Sequence, residues 1–190
     1  MKATDLLKKQ HDEVKKLFKS LEGDGERRTQ RRLLTEIARN LTAHMVVEQE
    51  IFYPACARRM DDKSIVAEAF EEHGVAALQL SRTLDSRAGD TTFEAKTKVL
   101  RELIEHHIEE EESELLKKAR RLFSADELEQ LGMQMEAMFQ KQLAAGYQEV
   151  LAEPPPDASD ALVASRTSSA RKTTAKRASA RGGRSRIAKR

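Results

Sequence analysis

The sequence predicts an all-α protein built around an up-down-up-down four-helix bundle. Four long segments repeat apolar residues with the 3.6-residue period of an amphipathic helix. Short turns at residues 23–25 and 88–90 favour antiparallel neighbours. The composition, 39% apolar and 35% charged, is typical of helices with one buried and one exposed face. The predicted helices cover residues 4–21, 28–57, 62–86 and 92–122.

The apolar stripe of each helix defines its buried face. Pro54 lies near the end of the second helix and predicts a kink or a stop soon after it, because proline lacks the backbone N–H. In chain order the stripes contain Leu7, Val14, Phe18 and Leu21; Leu34, Ile37, Leu41, Ile51, Phe52 and Ala55; Val66, Phe70, Ala77, Leu80 and Leu84; and Leu100, Ile104, Ile108, Leu115 and Leu122.

A fifth, amphipathic helix is predicted from Ala125 to about Gln148. Ser124, followed three residues later by Glu127, forms the capping-box pattern that begins many helices. The methionines of its apolar stripe are interpreted as core residues, because this flexible side chain fills gaps between packed helices. The stripe comprises Leu128, Leu131, Met135, Met138 and Leu143.

The charge distribution divides the chain into two regimes. Residues 154–190 contain ten Lys and Arg and two Asp and Glu, whereas residues 1–153 contain 24 basic and 30 acidic residues. We therefore predict a four-helix bundle over 1–123, an additional helix over 124–152 and a disordered basic tail over 153–190. Disorder is expected because the tail has too few large apolar residues to offset the entropy of folding.

Other sequence features exclude several classes of protein. No run of 18 apolar residues is present, so we expect no membrane span. The N-terminus lacks the apolar core of a secretory signal, and the single cysteine excludes an internal disulfide. These features favour a cytoplasmic protein.

An internal repeat involves four of the five histidines. Each half of the bundle carries a histidine and then, 33 or 34 residues later, a His-x3-Glu pair whose side chains lie one helical turn apart. The six residues of the repeat are His11, His44, Glu48, His73, His107 and Glu111.

These polar residues interrupt the apolar stripes, so they are expected to be buried. Burying an unpaired neutral polar group costs about 1–3 kcal/mol, and an unpaired carboxylate costs more. Two arrangements remove this cost: hydrogen bonds between the histidines and glutamates, or a bound metal. The matched spacing in both halves favours metal. By contrast, His106, Glu109, Glu110 and Glu112 lie off the stripe and are assigned to a solvated face.

Local sequence around the repeat resembles the hemerythrin-like, HHE cation-binding family. The stretches HMVVEQEIFYP from His44 and HIEEEESELL from His107 are similar to the signatures of its second and fourth helices. The resemblance extends over about residues 4–122. It implies a non-haem di-iron centre, in which the four histidines are terminal ligands and the two glutamates bridge two iron ions. Manganese or zinc is less favoured, and an oxo or hydroxo bridge fits the same picture.

One departure from the family bears on function. Oxygen-carrying hemerythrins have a second histidine four residues after the helix-three ligand, where this chain has Ala77. Together with Ala69 and Ala76, this small residue predicts space over one metal. We expect a protein that binds or senses O2, peroxide, nitric oxide or iron. Because no separate general base or nucleophile stands out, this hypothesis is favoured over a peroxide- or oxygen-consuming enzyme.

Three further features leave alternatives open. The tail resembles those of histone H1-like proteins, so residues 164–190 are expected to bind nucleic acid non-specifically, in a protein whose bundle scavenges iron or oxidants near DNA. The alternatives are a solubilising tail or one that contacts the acidic surface of the bundle. Tyr53 is interpreted as a packing residue at the helix end, with a hydrogen bond near the site or a redox role as the alternatives. Cys56 is interpreted as a buried structural thiol, with a redox-responsive thiol as the alternative.

Overall fold

The computed structural model describes residues 1–23 and 25–152, and this part consists of helices joined by turns and loops, with no strand. The α-helices, with two π-helical turns between them, are α1 (Ala3–Gly23), α2 (Arg27–Val47), a turn at Glu48–Phe52, α3 (Tyr53–Ala57), α4 (Ser64–Leu84), α5 (Thr91–Glu110), a turn at Glu111–Leu115, α6 (Leu116–Leu122), α7 (Ala125–Ala145) and α8 (Gln148–Ala152).

The predicted all-α bundle with an additional C-terminal helix is confirmed. The residues at both ends of each π-helical turn keep right-handed helical backbone angles, so α2 and α3 form one continuous rod, as do α5 and α6. The first rod ends at Ala57, three residues after Pro54, as the proline predicted. The predicted tail lies outside the described residues.

Two apolar clusters fill the interior, and the predicted polar layer lies between them. His11 illustrates the arrangement: Leu7, one turn before it, belongs to one cluster, and Val14, one turn after it, belongs to the other. The first cluster is built around Phe52, Tyr53, Phe70 and Leu115, and the second around Phe18, Leu34, Leu80 and Leu100.

Helix α7 packs across α1 and α2, and its capping box at Ser124 and Glu127 is formed as predicted. Met135 is fully buried, which confirms its interpretation as a core residue. A Cβ atom on Gly132 would lie 2.2 Å from the carbonyl oxygen of Met1, so only glycine allows this close approach.

The end of α7 differs from the prediction. The helix stops at Ala145 because Gly146 has φ +93°, a left-handed conformation that a helix cannot continue through. The short helix α8 follows and packs on α4. Within the described part of the chain, no helix is long and apolar enough to cross a membrane.

Candidate metal centre

All six residues of the repeat converge on one buried layer. Glu48 is completely buried, and none of the other five exposes more than 5% of its surface. The Nε2–Oε2 distances are 3.1 Å for His44–Glu48, 3.3 Å for His73–Glu48, 3.3 Å for His11–Glu111 and 3.7 Å for His107–Glu111. Each carboxylate therefore faces one histidine from each half of the bundle.

The donor atoms fall into two adjacent groups that share Glu48. Within each group the nitrogen and oxygen atoms lie within 4.8 Å of one another, close enough to surround one metal ion. One group contains His11, His44, Glu48 and Glu111, and the other contains Glu48, His73 and His107. The arrangement therefore offers two cation positions next to each other.

Both π-helical turns begin at the glutamates, Glu48 and Glu111. A π-helical turn inserts one extra residue into the helical ladder and is most often found at functional sites. Here it changes the register after each carboxylate in the same way in both halves. The apolar periodicity predicted continuous α-helices at these positions and gave no signal for the turns.

The outward nitrogens of three histidines are held by side chains that were not predicted to be part of the site. His44 Nδ1 donates to Gln10 Oε1 at 2.8 Å, and His107 Nδ1 donates to Glu72 Oε2 at 2.6 Å. With Nδ1 protonated, a neutral imidazole presents its Nε2 lone pair to the centre. Their position in the sequence is a usable signal, since Gln10 and Glu72 directly precede the first histidine of each half.

The third partner corrects a prediction. Glu112 was assigned to a solvated face, yet its carboxylate accepts a hydrogen bond from His11 Nδ1 at 3.0 Å. The assignment was wrong because the π-helical turn that begins at Glu111 changes the direction in which the next residue points. The prediction for His106 is confirmed: its side chain is 64% exposed and pairs with Glu110 on the surface.

The hydroxyl of Tyr53 lies at the centre of the site. The hydroxyl donates to Glu111 Oε1 at 2.9 Å, and its oxygen is 3.3 Å from Glu48 Oε2 and 3.2 Å from His73 Nε2. The preferred interpretation, packing, is confirmed for the ring, which contacts Phe70, and the alternative of a hydrogen bond near the site is confirmed for the hydroxyl. Cys56 is buried, as expected for a structural thiol, and burial raises its pKa to about 12.

The electrostatics keep the Glu48 carboxylate ionised despite its burial. Burial alone would raise the pKa of Glu48, but His44 and His73 outweigh it and lower that pKa well below its ordinary value. Burial lowers the pKa of His107, and Glu111 and Glu72 outweigh it, raising the pKa to about 9. At His73 the effect of burial exceeds the opposing effect of Glu48 and Glu111, so the pKa of this histidine is lowered. The centre is thus an anionic pocket that attracts protons or cations.

Several buried nitrogen and oxygen atoms are better placed to bind a metal ion than to form hydrogen bonds with one another. Four of these atoms lie close together but have no hydrogen-bond partner within the described chain. They are His11 Nε2, His44 Nε2, Glu48 Oε1 and Glu111 Oε2. Leaving such atoms unsatisfied costs free energy, whereas a metal ion would use their lone pairs directly. Imidazole nitrogens combined with carboxylate oxygens suit iron, manganese and zinc.

Space next to the centre is available on two sides. A small cavity of about 10 Å³, about the size that one water molecule needs, borders the histidines and is lined by apolar residues such as Val14, Leu41 and Ile104. On the other side, a half-open groove of about 650 Å³ is lined by His73 and Ala77 and flanked by α8. Of the three alanines that predicted open space, Ala77 lines this groove, whereas Ala69 and Ala76 are buried in the apolar clusters.

Helices that bury imidazole and carboxylate groups at a shared centre define a metal-binding helical bundle. The chain belongs to the hemerythrin HHE cation binding domain family, whose sequence profile matches residues 2–119. This membership confirms the resemblance seen in the sequence and makes the chain a cation-binding protein. The family profile does not extend over α7, α8 or the basic tail.

Two individual proteins are similar to the chain. The crystal structure of a hemerythrin HHE cation binding domain-containing protein from Mycobacterium kansasii has the same fold, with a TM-score of 0.69 and 24% identity; the alignment covers 87% of this chain and 99% of that one. A DNA nickase from Nostoc sp. is 23% identical over 137 residues. That match covers 72% of this chain but only 39% of the nickase.

Proposed function

We propose that the chain is a non-haem di-iron protein that binds or senses a small ligand, namely O2, peroxide or nitric oxide, or iron itself. The observation that carries the proposal is the position of Glu48, which belongs to both donor groups and so can bridge two cations. The four histidines would be terminal ligands and Glu111 the second bridge. Manganese and zinc remain chemically compatible with the same donors.

The residues around the centre have separable tasks. Bound iron would supply a redox-active Lewis acid with positions left for a small ligand. Gln10, Glu72 and Glu112 orient the imidazoles through Nδ1, and Tyr53 holds a proton between the two carboxylates. The small apolar cavity beside the histidines would favour a very small ligand over a larger one.

Elemental analysis and optical spectroscopy test this proposal. Protein loaded anaerobically with Fe(II) should hold about two iron ions per chain, as a pair of bridged metals requires. Its spectrum should change when O2 or azide is added. Protein that keeps no iron, or iron-loaded protein whose spectrum ignores both ligands, would contradict the proposal.

A measurement of turnover with peroxide distinguishes a binding or sensing protein from an enzyme. The described chain offers no general base or nucleophile apart from the donor cluster itself, which favours a binding or sensing role. Iron-loaded protein is therefore expected to react with hydrogen peroxide no more than about once per centre. Sustained peroxide disproportionation would instead support a di-iron enzyme.

A second candidate function, association with nucleic acid, is favoured by the basic tail and by the similarity to the nickase. Residues 164–190 contain ten Lys and Arg and no acidic residue, a composition that neutralises phosphates without reading base sequence. A full-length variant with all ten changed to Gln should bind duplex DNA more weakly at low salt. Equal affinity would rule out the tail as a binding element.

A further inference from the structure

A second basic feature lies on the folded bundle itself, around the N-terminal half of α2. Two neighbouring surface grooves, one of about 710 Å³ and one of about 430 Å³, share Arg31. Six exposed arginines line them, accompanied by two acidic residues, Glu36 and Asp85. The six are Arg27, Arg28, Arg31, Arg32, Arg39 and Arg87. We call these six residues the arginine face.

The charge of the arginine face is opposite to that of its surroundings. The rest of residues 1–153 contains 18 basic and 28 acidic residues, so the face is a positive area on a negative body. An extended anion would be repelled by most of the bundle and attracted to this one side. Such a contrast indicates an interaction surface.

We propose that the arginine face binds the sugar–phosphate backbone of a nucleic acid. Arg28 and Arg39 are separated by about 16 Å along α2, a distance over which duplex DNA presents about ten phosphate charges. Guanidinium groups donate two parallel hydrogen bonds to one phosphate, so arginine suits this partner better than lysine. Every arginine of the face is exposed, which fits an extended polyanion rather than an enclosed small anion.

One end of the arginine face contacts the end of α7, the helix that α8 and then the basic tail follow in the sequence. Arg39 donates a hydrogen bond at 2.6 Å to the carbonyl of Leu143, and the described chain ends nine residues later, at Ala152. Tyr147 and Leu151 pack against the same apolar cluster to which α2 contributes Leu34. Two basic elements on one chain can engage one polyanion together, which raises the affinity of both.

The arginine face is distinct from the metal centre and from the tail, so it can be tested separately from both. Arg32 lies about 18 Å along α2 from His44. Arg31 and Arg39 donate to backbone carbonyls at the ends of α4 and α7, so a variant should leave them intact. Arg28, Arg32 and Arg87 are better targets.

The experiment measures binding of full-length, iron-loaded protein to a labelled 30-base-pair duplex by fluorescence anisotropy at several salt concentrations. The triple variant R28Q/R32Q/R87Q should bind about tenfold or more weakly at low salt, with a salt slope lower by about 2–3. The matched control is K15Q/K16Q/K19Q, which removes the same charge from exposed positions on α1, where Lys15 faces Glu105 and Glu109. The control should bind like the wild type.

Each result bears on a different proposal. Binding that survives neutralisation of the tail and is lost in the arginine variant supports the arginine face and argues against the tail. Equal affinity of the arginine variant and the lysine control overturns the arginine face and leaves the tail proposal standing. Protein that binds polyglutamate or anionic lipid vesicles but no duplex also overturns it, by assigning the face to a protein or membrane partner. Iron content and thermal melting must match the wild type in every variant.

Discussion

The two halves of the bundle are built alike around the centre, and their few differences indicate which side is more open. In each half, the residue before the first histidine holds Nδ1 of the second histidine: Gln10 holds His44, and Glu72 holds His107. Each half then makes a π-helical turn that begins at its glutamate. These shared features orient the donors, which explains why they occur twice.

The differences concern the residues just beyond each glutamate. Glu112, which follows Glu111, accepts a hydrogen bond from His11 Nδ1. The corresponding residue after Glu48 is Gln49, and it makes no such bond within the described part of the chain. His73 Nδ1 has no hydrogen-bond partner among the described residues. Gln49 and His73 instead line the open groove together. The histidine next to the groove is therefore held less tightly than the other three.

A second difference lies five residues after each glutamate. The first half places Tyr53 there, with its hydroxyl at the centre, and the second half places Leu116, which is buried in the apolar cluster. Helix α7 also packs on the first half, against α1 and α2. The first half thus supplies the extra polar group and the extra support, and the groove lies between the two halves, next to His73.

The largest expected effect comes from Glu48, the one residue that the two donor groups share. Glu48→Ala should reduce bound iron from about two ions per chain to nearly none, because a bridge supports both positions. His73→Ala should mainly remove the ion on the groove side. Elemental analysis after gel filtration measures both. His106→Ala is the control and should keep its iron, and equal loss from that variant would mean that the wrong histidine of α5 was chosen.

The next effect tests the difference between Glu112 and Gln49. Glu112→Gln should lower iron affinity about tenfold or more, because a residue that orients a metal-bound histidine typically contributes 10–100-fold. Gln49→Glu should raise affinity, by giving His73 Nδ1 the acceptor that His11 already has. Competition with a calibrated chelator measures both. If exchanging the residue at position 49 changes nothing while Glu112→Gln weakens binding, the two halves are less alike than the repeat implies.

A smaller effect tests the difference between Tyr53 and Leu116. Burial raises the pKa of Tyr53 well above its ordinary value, so the hydroxyl stays protonated and donates to Glu111. In metal-free protein, Tyr53→Phe leaves that buried carboxylate without its donor and should destabilise the fold by about 1–3 kcal/mol. Chemical denaturation measures the change. Leu116→Met preserves volume and should cost less than about 1.5 kcal/mol, and a larger loss at that position would reverse the comparison.

The sequence predicted the features that depend on periodicity and missed those that depend on a change of register. His11, His44, His73 and His107 could be found because each interrupts an apolar stripe. Glu112 could not, because its direction depends on a π-helical turn that leaves no trace in the spacing of apolar residues. The fifth helix was predicted from its capping box. The helices against which it packs could not be predicted, because an amphipathic stripe does not specify its partner.

The role of Tyr53 was underestimated for a related reason. An aromatic residue near the end of a predicted helix is usually a packing residue, and Tyr53 does contact Phe70 in the apolar cluster. Its ring packs while its hydroxyl reaches the centre, and sequence periodicity reports only the first of these properties. The structure distinguishes the role of the ring from that of the hydroxyl, because the hydroxyl lies within 3.3 Å of nitrogen or oxygen atoms on three different segments.

The smallest expected effect concerns the link between the first half and α7. Arg59 donates to Glu127 Oε2 at 3.0 Å, and this bond, together with the backbone N–H of Ser124, lowers the pKa of Glu127 to about 2. The ionised carboxylate therefore adds stability above its ordinary pKa of 4.5, and this contribution is lost as the pH falls towards 2. Glu127→Gln should lower the melting temperature by a small, constant amount above pH 4.5, and the difference should shrink below it.

The effect of Glu127→Gln should stay small because Arg59 keeps its other contacts. Its guanidinium stacks on the Phe123 ring, 4.1 Å from the ring centroid, and donates to the carbonyl of Leu122. Exposed ion pairs also contribute little in water. A melting difference that persists unchanged down to pH 3 would mean that the shape of the Glu127 side chain, rather than its charge, connects α7 to the first half.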